Sequence, residues 1–227
     1  MTFAGHPGDE AAIAAAEATL AERSPALAPL IARCGPCTLV SRRGPAGSHL
    51  ESLASAIVSQ QLAGRAAAAI WARVRALDPG GFDATTVVRL DPAELRAAGL
   101  SGAKAASLGD LAQRVLSGHL DLEEVAGLSD EDVIARLSEV RGIGRWTAQM
   151  FLMFRLGHLD VWPSGDLGVR RGYAVVHGLA EVPAARELEG LGEVFRPWRS
   201  VAAWYCWRAV DTVIPLDPAP DDGARLA

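Results

Sequence analysis

Leu137-Ser-Glu-Val140-Arg141-Gly142-Ile143-Gly144-Arg145-Trp146-Thr147-Ala148 is the stretch whose reading decides the fold. Upstream, Ser129-Asp-Glu-Asp132 has the spacing of a capped helix start, and Val133, Ile134, Leu137 and Val140 follow at helical period. Downstream, Arg145 to Leu156 is strongly apolar and reads as a second helix. Gly142-Ile143-Gly144 therefore joins two helices in a tight turn. The glycines permit positive φ angles and remove side chains that would hold off a ligand. Backbone N–H groups in such a turn, at the start of the next helix, converge on an anion. Gly142, Ile143, Gly144, Arg145 and Thr147 are thus candidates for holding a DNA phosphate, a contact that does not depend on base sequence. The competing reading is a helix–helix turn that simply needed glycine.

The pattern on either side is also helical. Asp9 to Arg23 and Pro25 to Arg33 read as short helices broken at Ser24-Pro25, and a Gly/Pro-rich connector runs from Cys34 to Gly47. Ser48-His-Leu-Glu51 opens an amphipathic helix carrying Leu50, Leu53, Ala54, Ile57 and Val58 that ends near Ser59-Gln60-Gln61. Further helices are expected over 64–77, 92–98, 103–116, 166–177, 184–195 and 197–210, with a loop at 160–165 and a tail over the last dozen residues. Thr85 to Val88 is β-branched but too short and isolated to build a sheet. The expectation is an all-α chain of about ten helices.

Composition agrees. Half of the 227 residues are hydrophobic, with few aromatics apart from six Trp. No run is long enough for a membrane span. The start of the chain lacks a basic signal-like segment, so a cytoplasmic protein is expected, nucleoid-associated if the source is bacterial. The net charge of −5 argues against a nucleic-acid partner until its distribution is considered. Between Arg141 and Gly172 five arginines face two aspartates, and three arginines lie between Arg196 and Arg208 with no acid.

Several strings now fit one family. Val140 to Ala148 resembles the hairpin of the helix-hairpin-helix DNA glycosylases, with Arg141 where proline is common, and Gly-Arg-Trp-Thr-Ala resembles the 3-methyladenine DNA glycosylase II branch. Ile57-Val-Ser-Gln-Gln-Leu62 resembles that branch's DNA-entering segment. Asp160-Val-Trp-Pro-Ser-Gly-Asp166-Leu-Gly-Val-Arg170 resembles its catalytic-aspartate loop, and Arg196-Pro-Trp-Arg-Ser200 through Trp207 its last helix. The resemblance covers roughly 25–212.

The resemblance implies a two-lobed fold with the active site in the cleft between lobes. One lobe would span 48–163, and 1–47 plus 164–227 would form the other. It implies Asp166 as the catalytic carboxylate, although an N-cap for the following helix would suit that position equally. It implies Trp146, Met150 and Trp207 as base-pocket residues, where an indole face would attract a cationic alkylpurine. Gln60, Gln61 and Leu62 become candidates for the wedge that fills the vacated base stack, with Gln61 foremost. Arg170 joins the phosphate contacts. Asp160 is expected to brace its loop, and Trp71, Trp162, Trp198 and Trp204 to pack.

Two absences shape the expected chemistry. Bifunctional relatives cleave the strand through a Schiff base on a lysine, at the hairpin position held here by Trp146. The only lysine in this sequence is Lys104. Three scattered cysteines cannot supply the four ligands of an iron–sulfur branch. Cys34-Gly-Pro-Cys37 lacks the preceding strand of a redox motif, and the five histidines are isolated, so no metal site is expected. The expected activity is monofunctional: hydrolysis of the glycosidic bond of 3-methyladenine or 7-methylguanine in double-stranded DNA, without strand cleavage. A monomer needing no cofactor is expected, and a monovalent cation at the hairpin carbonyls stays open. The alternatives are a non-catalytic helix-hairpin-helix DNA-binding module and a glycosylase for neutral deaminated or oxidised bases.

Overall fold

The structure is a computed structural model that describes residues 10–39, 48–62, 64–78 and 80–213. The expected tail lies outside the described residues, as does the 40–47 portion of the expected connector. Among the described residues every regular element is helical. In chain order these are α1 (Glu10–Arg23), α2 (Ala28–Cys34), α3 (His49–Ser59), α4 (Gly64–Ala76), α5 (Ala84–Arg89), α6 (Pro92–Ala97) and α7 (Gly102–Leu116). There follow α8 (Leu122–Ala126), α9 (Asp130–Ser138), α10 (Arg145–Met150), α11 (Leu167–His177), α12 (Ala185–Leu191) and α13 (Arg199–Val213). No helix among them is long and apolar enough to cross a membrane.

Four elements differ from the sequence reading, the first being α8, which opens on the Asp121 cap in a stretch where no helix was expected. The β-branched run at 85–88 lies within α5, because Asp83 Oδ1 accepts from Thr86 N at 2.7 Å and caps a helix that buries Thr86 and Val87. The apolar helix after the hairpin is α-helical only to Met150, then continues as a π-helical turn, Phe151–Leu156, which ends on left-handed Gly157. The expected 184–195 helix is α12 followed by a 3₁₀ turn, Gly192–Phe195.

The chain divides into two compact units: Arg42–His158, and Met1–Ser41 with Leu159–Ala227. The continuous unit holds α3 to α10. Its core includes Leu53, Ile57, Leu108, Leu111, Leu137, Leu152 and Met153, each at most 1% exposed. Each such side chain contributes about 1.5–3 kcal/mol by leaving water. The discontinuous unit brings α1 and α2 together with α11 to α13 around Leu20, Leu27, Phe195, Val201 and Tyr205. Within it α11 and α13 touch backbone to backbone. A Cβ on Gly172 would lie 1.9 Å from the Cys206 carbonyl oxygen, so only glycine allows that approach.

Two of the three cysteines are buried. All three are free, and burial pushes the Cys37 and Cys206 thiols up to about 12. The turn between Cys34 and Cys37 is pinned by hydrogen bonds: Cys37 N–H donates to Glu17 Oε1 at 2.6 Å, and the Tyr205 hydroxyl shares its one proton between Glu17 Oε1 at 2.8 Å and Gly35 O at 2.9 Å.

Candidate active site

In the discontinuous unit, Asp166 is the N-cap of α11. Its Oδ1 accepts from Val169 N at 2.8 Å, which fixes the carboxylate by a bond the helix start requires anyway. The same oxygen accepts from the Trp207 indole N–H at 2.9 Å. Gly168 makes that second bond possible. A Cβ there would meet Trp207 Cδ1 at 2.8 Å and Asp166 Oδ1 at 3.0 Å. Trp207 thus stands beside the carboxylate as a hydrogen-bond donor, a role that its position in the sequence did not suggest. The loop before Asp166 is braced by Asp160, whose carboxylate accepts from Arg196 Nη1 at 2.8 Å and from Arg199 Nε at 2.8 Å and Nη2 at 3.0 Å. Trp162 is buried, with its N–H on Leu188 O at 2.8 Å. Arg170 is half-buried and its Nε donates to Pro183 O at 2.7 Å, which ties it to the loop before α12.

In the continuous unit, the hairpin rests on α7. Gly142 takes φ +78, and a Cβ on it would lie 2.4 Å from Ser107 Oγ, so glycine is needed for both conformation and space. One turn further along α7, Asp110 Oδ2 accepts from the Arg141 N–H at 2.8 Å, and that bond holds the Asp110 carboxyl below its ordinary range. Val140 and Ile143 are buried, and Gly144 opens α10 without a capping side chain. Trp146 is 46% exposed and Met150 half-buried on that helix. Arg145 is exposed and forms a fork with Glu131, at 2.9 and 2.6 Å.

Two of the expected contacts point elsewhere. Thr147 is buried, and its hydroxyl faces the amide of Gln60 at 3.4 Å, so only its backbone suits an anion. Gln60 Nε2 donates to Gly142 O at 2.8 Å, which turns its side chain towards the hairpin rather than outward. Gln61 and Leu62 are the exposed members of that segment.

The turn carrying them has a distinct geometry. Leu62 N–H donates to Ser59 O at 3.2 Å; Gln60 sits at φ −51, ψ 133 and Gln61 at φ +58. These are the values of a type II turn, whose third position normally goes to glycine or asparagine. Among the described residues Gln61 is the only non-glycine with positive φ.

Comparison with known proteins shows the family. A model of the HhH-GPD superfamily of base excision DNA repair proteins matches residues 54–197. The chain belongs to that superfamily. Among its relatives, DNA-3-methyladenine glycosylase 1 of Schizosaccharomyces pombe is 38% identical over 174 residues, covering 74% of this chain and 76% of the relative. The structure of the S. pombe 3-methyladenine DNA glycosylase in complex with abasic DNA superposes with a TM-score of 0.72 at 35% identity, over 85% of this chain and 95% of that one. A DNA-3-methyladenine glycosidase from Bacillus halodurans gives 0.76 at 34% identity, over 87% and 90%. The HhH-GPD match includes the Gln60–Gln61 turn, the hairpin and Asp166; Trp207 lies beyond its end.

Proposed function

We propose that this chain is a monofunctional DNA glycosylase that hydrolyses the N-glycosidic bond of alkylated purines in double-stranded DNA, with Asp166 as its catalytic carboxylate. The observation that carries the reading is the fixing of Asp166 Oδ1 by two N–H donors, the α11 backbone and the Trp207 indole. Family membership and the names of the relatives support the substrate class.

An N-alkylated purine such as 3-methyladenine carries positive charge and is already a good leaving group. As C1′–N breaks, the electron pair leaves with the base and neutralises it, and positive charge develops on the sugar. A carboxylate beside C1′ stabilises that charge and orients the water whose oxygen bonds to C1′ and whose proton passes to the carboxylate or to bulk water. The reaction drawn this way needs no cofactor.

Grip on the duplex falls to the hairpin. Gly144 leaves the start of α10 without a capping oxygen, so a phosphate can serve as the cap. The wedge falls to Gln61 and Leu62, because Gln60 is occupied by the hairpin. Absence of strand cleavage belongs to the proposal too: the single lysine already donates to two backbone carbonyls of the α3 terminus.

The test is release of free base from alkylated duplex DNA at slight enzyme excess, with Asp166→Asn in parallel. The expected outcome is release of 3-methyladenine or 7-methylguanine by the wild type, an unbroken abasic strand, and loss of release of roughly 100-fold or more in the variant. DNA binding without release of either base by the wild type would refute the reading and leave a binding module or another lesion class.

A further inference from the structure

Lys104 carries a charge that works against its own helix. It is the third residue of α7, where its positive charge opposes the helix dipole. Its ammonium reaches instead to the far end of α3, donating to Val58 O at 2.8 Å and Gln60 O at 2.7 Å. A cation there is favourable twice over, because the last carbonyls of α3 lack helical partners and carry the negative end of its dipole.

The second of those bonds also selects the turn. Type I and type II turns differ by a flip of the central peptide. In the Ser59–Leu62 turn the central carbonyl is that of Gln60, the one Lys104 holds. Without that donor the type I form is the easier one, because it spares Gln61 a left-handed conformation costing on the order of a kcal/mol. Left-handed non-glycine residues persist where their surroundings over-determine them. Here the surroundings are Lys104 on the Gln60 carbonyl and Gly142 O on the Gln60 side chain.

We propose that Lys104 is a positioning residue for base extrusion: by holding the Gln60 carbonyl it locks the type II turn that presents Gln61 and Leu62. The proposal rests on the glycosylase reading above and adds a residue that touches neither the lesion nor the reacting atoms. Its consequence is selective. A disordered wedge slows extrusion of a well-paired base, whose unstacking costs energy, and matters little for a base with no partner to break from.

The experiment compares Lys104→Met, Lys104→Arg and wild type in single-turnover release of 7-methylguanine placed opposite cytosine or opposite an abasic site. Lys104→Met is expected to lose roughly tenfold or more on the paired lesion and less than about threefold on the unpaired one. Lys104→Arg, which keeps the charge and its donors, is expected to restore most of the paired rate. If Lys104→Met melts below the assay temperature, Lys104→Gln, uncharged and of similar bulk, carries the same comparison. Equal losses on both substrates would reduce Lys104 to a fold-stabilising contact and overturn the proposal, as would a fully active Lys104→Met. A wild type that releases no base from either substrate fails the glycosylase reading itself and takes the proposal with it.

Discussion

Asp166 caps α11 and, in the proposed reading, also carries the chemistry, and substitution can separate the two roles. Asparagine caps helices about as well as aspartate, so Asp166→Asn should melt within a degree or two of the wild type while losing base release. A melting temperature that fell in step with activity would return Asp166 to the role of a cap alone. Gly168 tests the other donor. In Gly168→Ala the new methyl meets both the Trp207 ring and the Asp166 carboxylate. The indole must withdraw, and a hydrogen bond to a charged group, about 1.5–3 kcal/mol, is strained or lost. The expected result is a kcat lower by roughly tenfold or more with DNA affinity unchanged; an unchanged kcat would show that Trp207 does not orient the carboxylate. The motif in the sequence pointed to Asp166, but the partnership with Trp207 is set by a glycine whose significance lies in the space it leaves, and composition does not record that.

Among the elements, α7 supports both loops proposed to meet DNA. Lys104, Ser107 and Asp110 stand at successive turns of one face and meet, respectively, the Gln60 carbonyl, Gly142 and the Arg141 amide. Asp110→Ala removes a charged acceptor from the Arg141 N–H and should destabilise the protein by about 1–3 kcal/mol. Weakened binding to undamaged duplex should accompany it, measured by anisotropy at fixed salt; unaltered binding would mean that the hairpin keeps its shape without Asp110. The hairpin and the caps at Ser48, Ser129 and Asp166 were legible because each depends on residues adjacent in sequence. The service of α7 was not legible, since its three contacts span 44, 35 and 31 positions along the chain. The helix over the β-branched run at 85–88 was not legible for a related reason: propensity there yields to the Asp83 cap and burial of Val87.

For the molecule as a whole, two histidines set a direction for stability against pH. Burial lowers the pKa of both His49 and His177 from the ordinary 6.5. Above that value the imidazoles are neutral folded or unfolded and have no effect. As pH falls below it, the unfolded chain binds protons that the folded chain resists, so these groups withdraw stability in that window. His177 stacks on Tyr173 with ring centroids 4.1 Å apart, so an aromatic replacement keeps the packing. His177→Phe should therefore lose less stability than the wild type between about pH 7.5 and about pH 5.5, read from urea midpoints. Identical losses would mean that His177 takes a proton as readily folded as unfolded.

The bond from Tyr205 to Glu17 joins residues 188 positions apart. At synthesis rates of about 5–20 residues per second, α1 emerges from the ribosome roughly 10 to 40 s before the helix that covers it. The apolar face of α1, with Ile13, Ala16 and Leu20, spends that interval without its final partner. Meanwhile the hairpin-bearing unit, contiguous from 42 to 158, emerges in full. The unit that carries Asp166 is therefore completed last, and its first helix is the segment most in need of a chaperone while it waits.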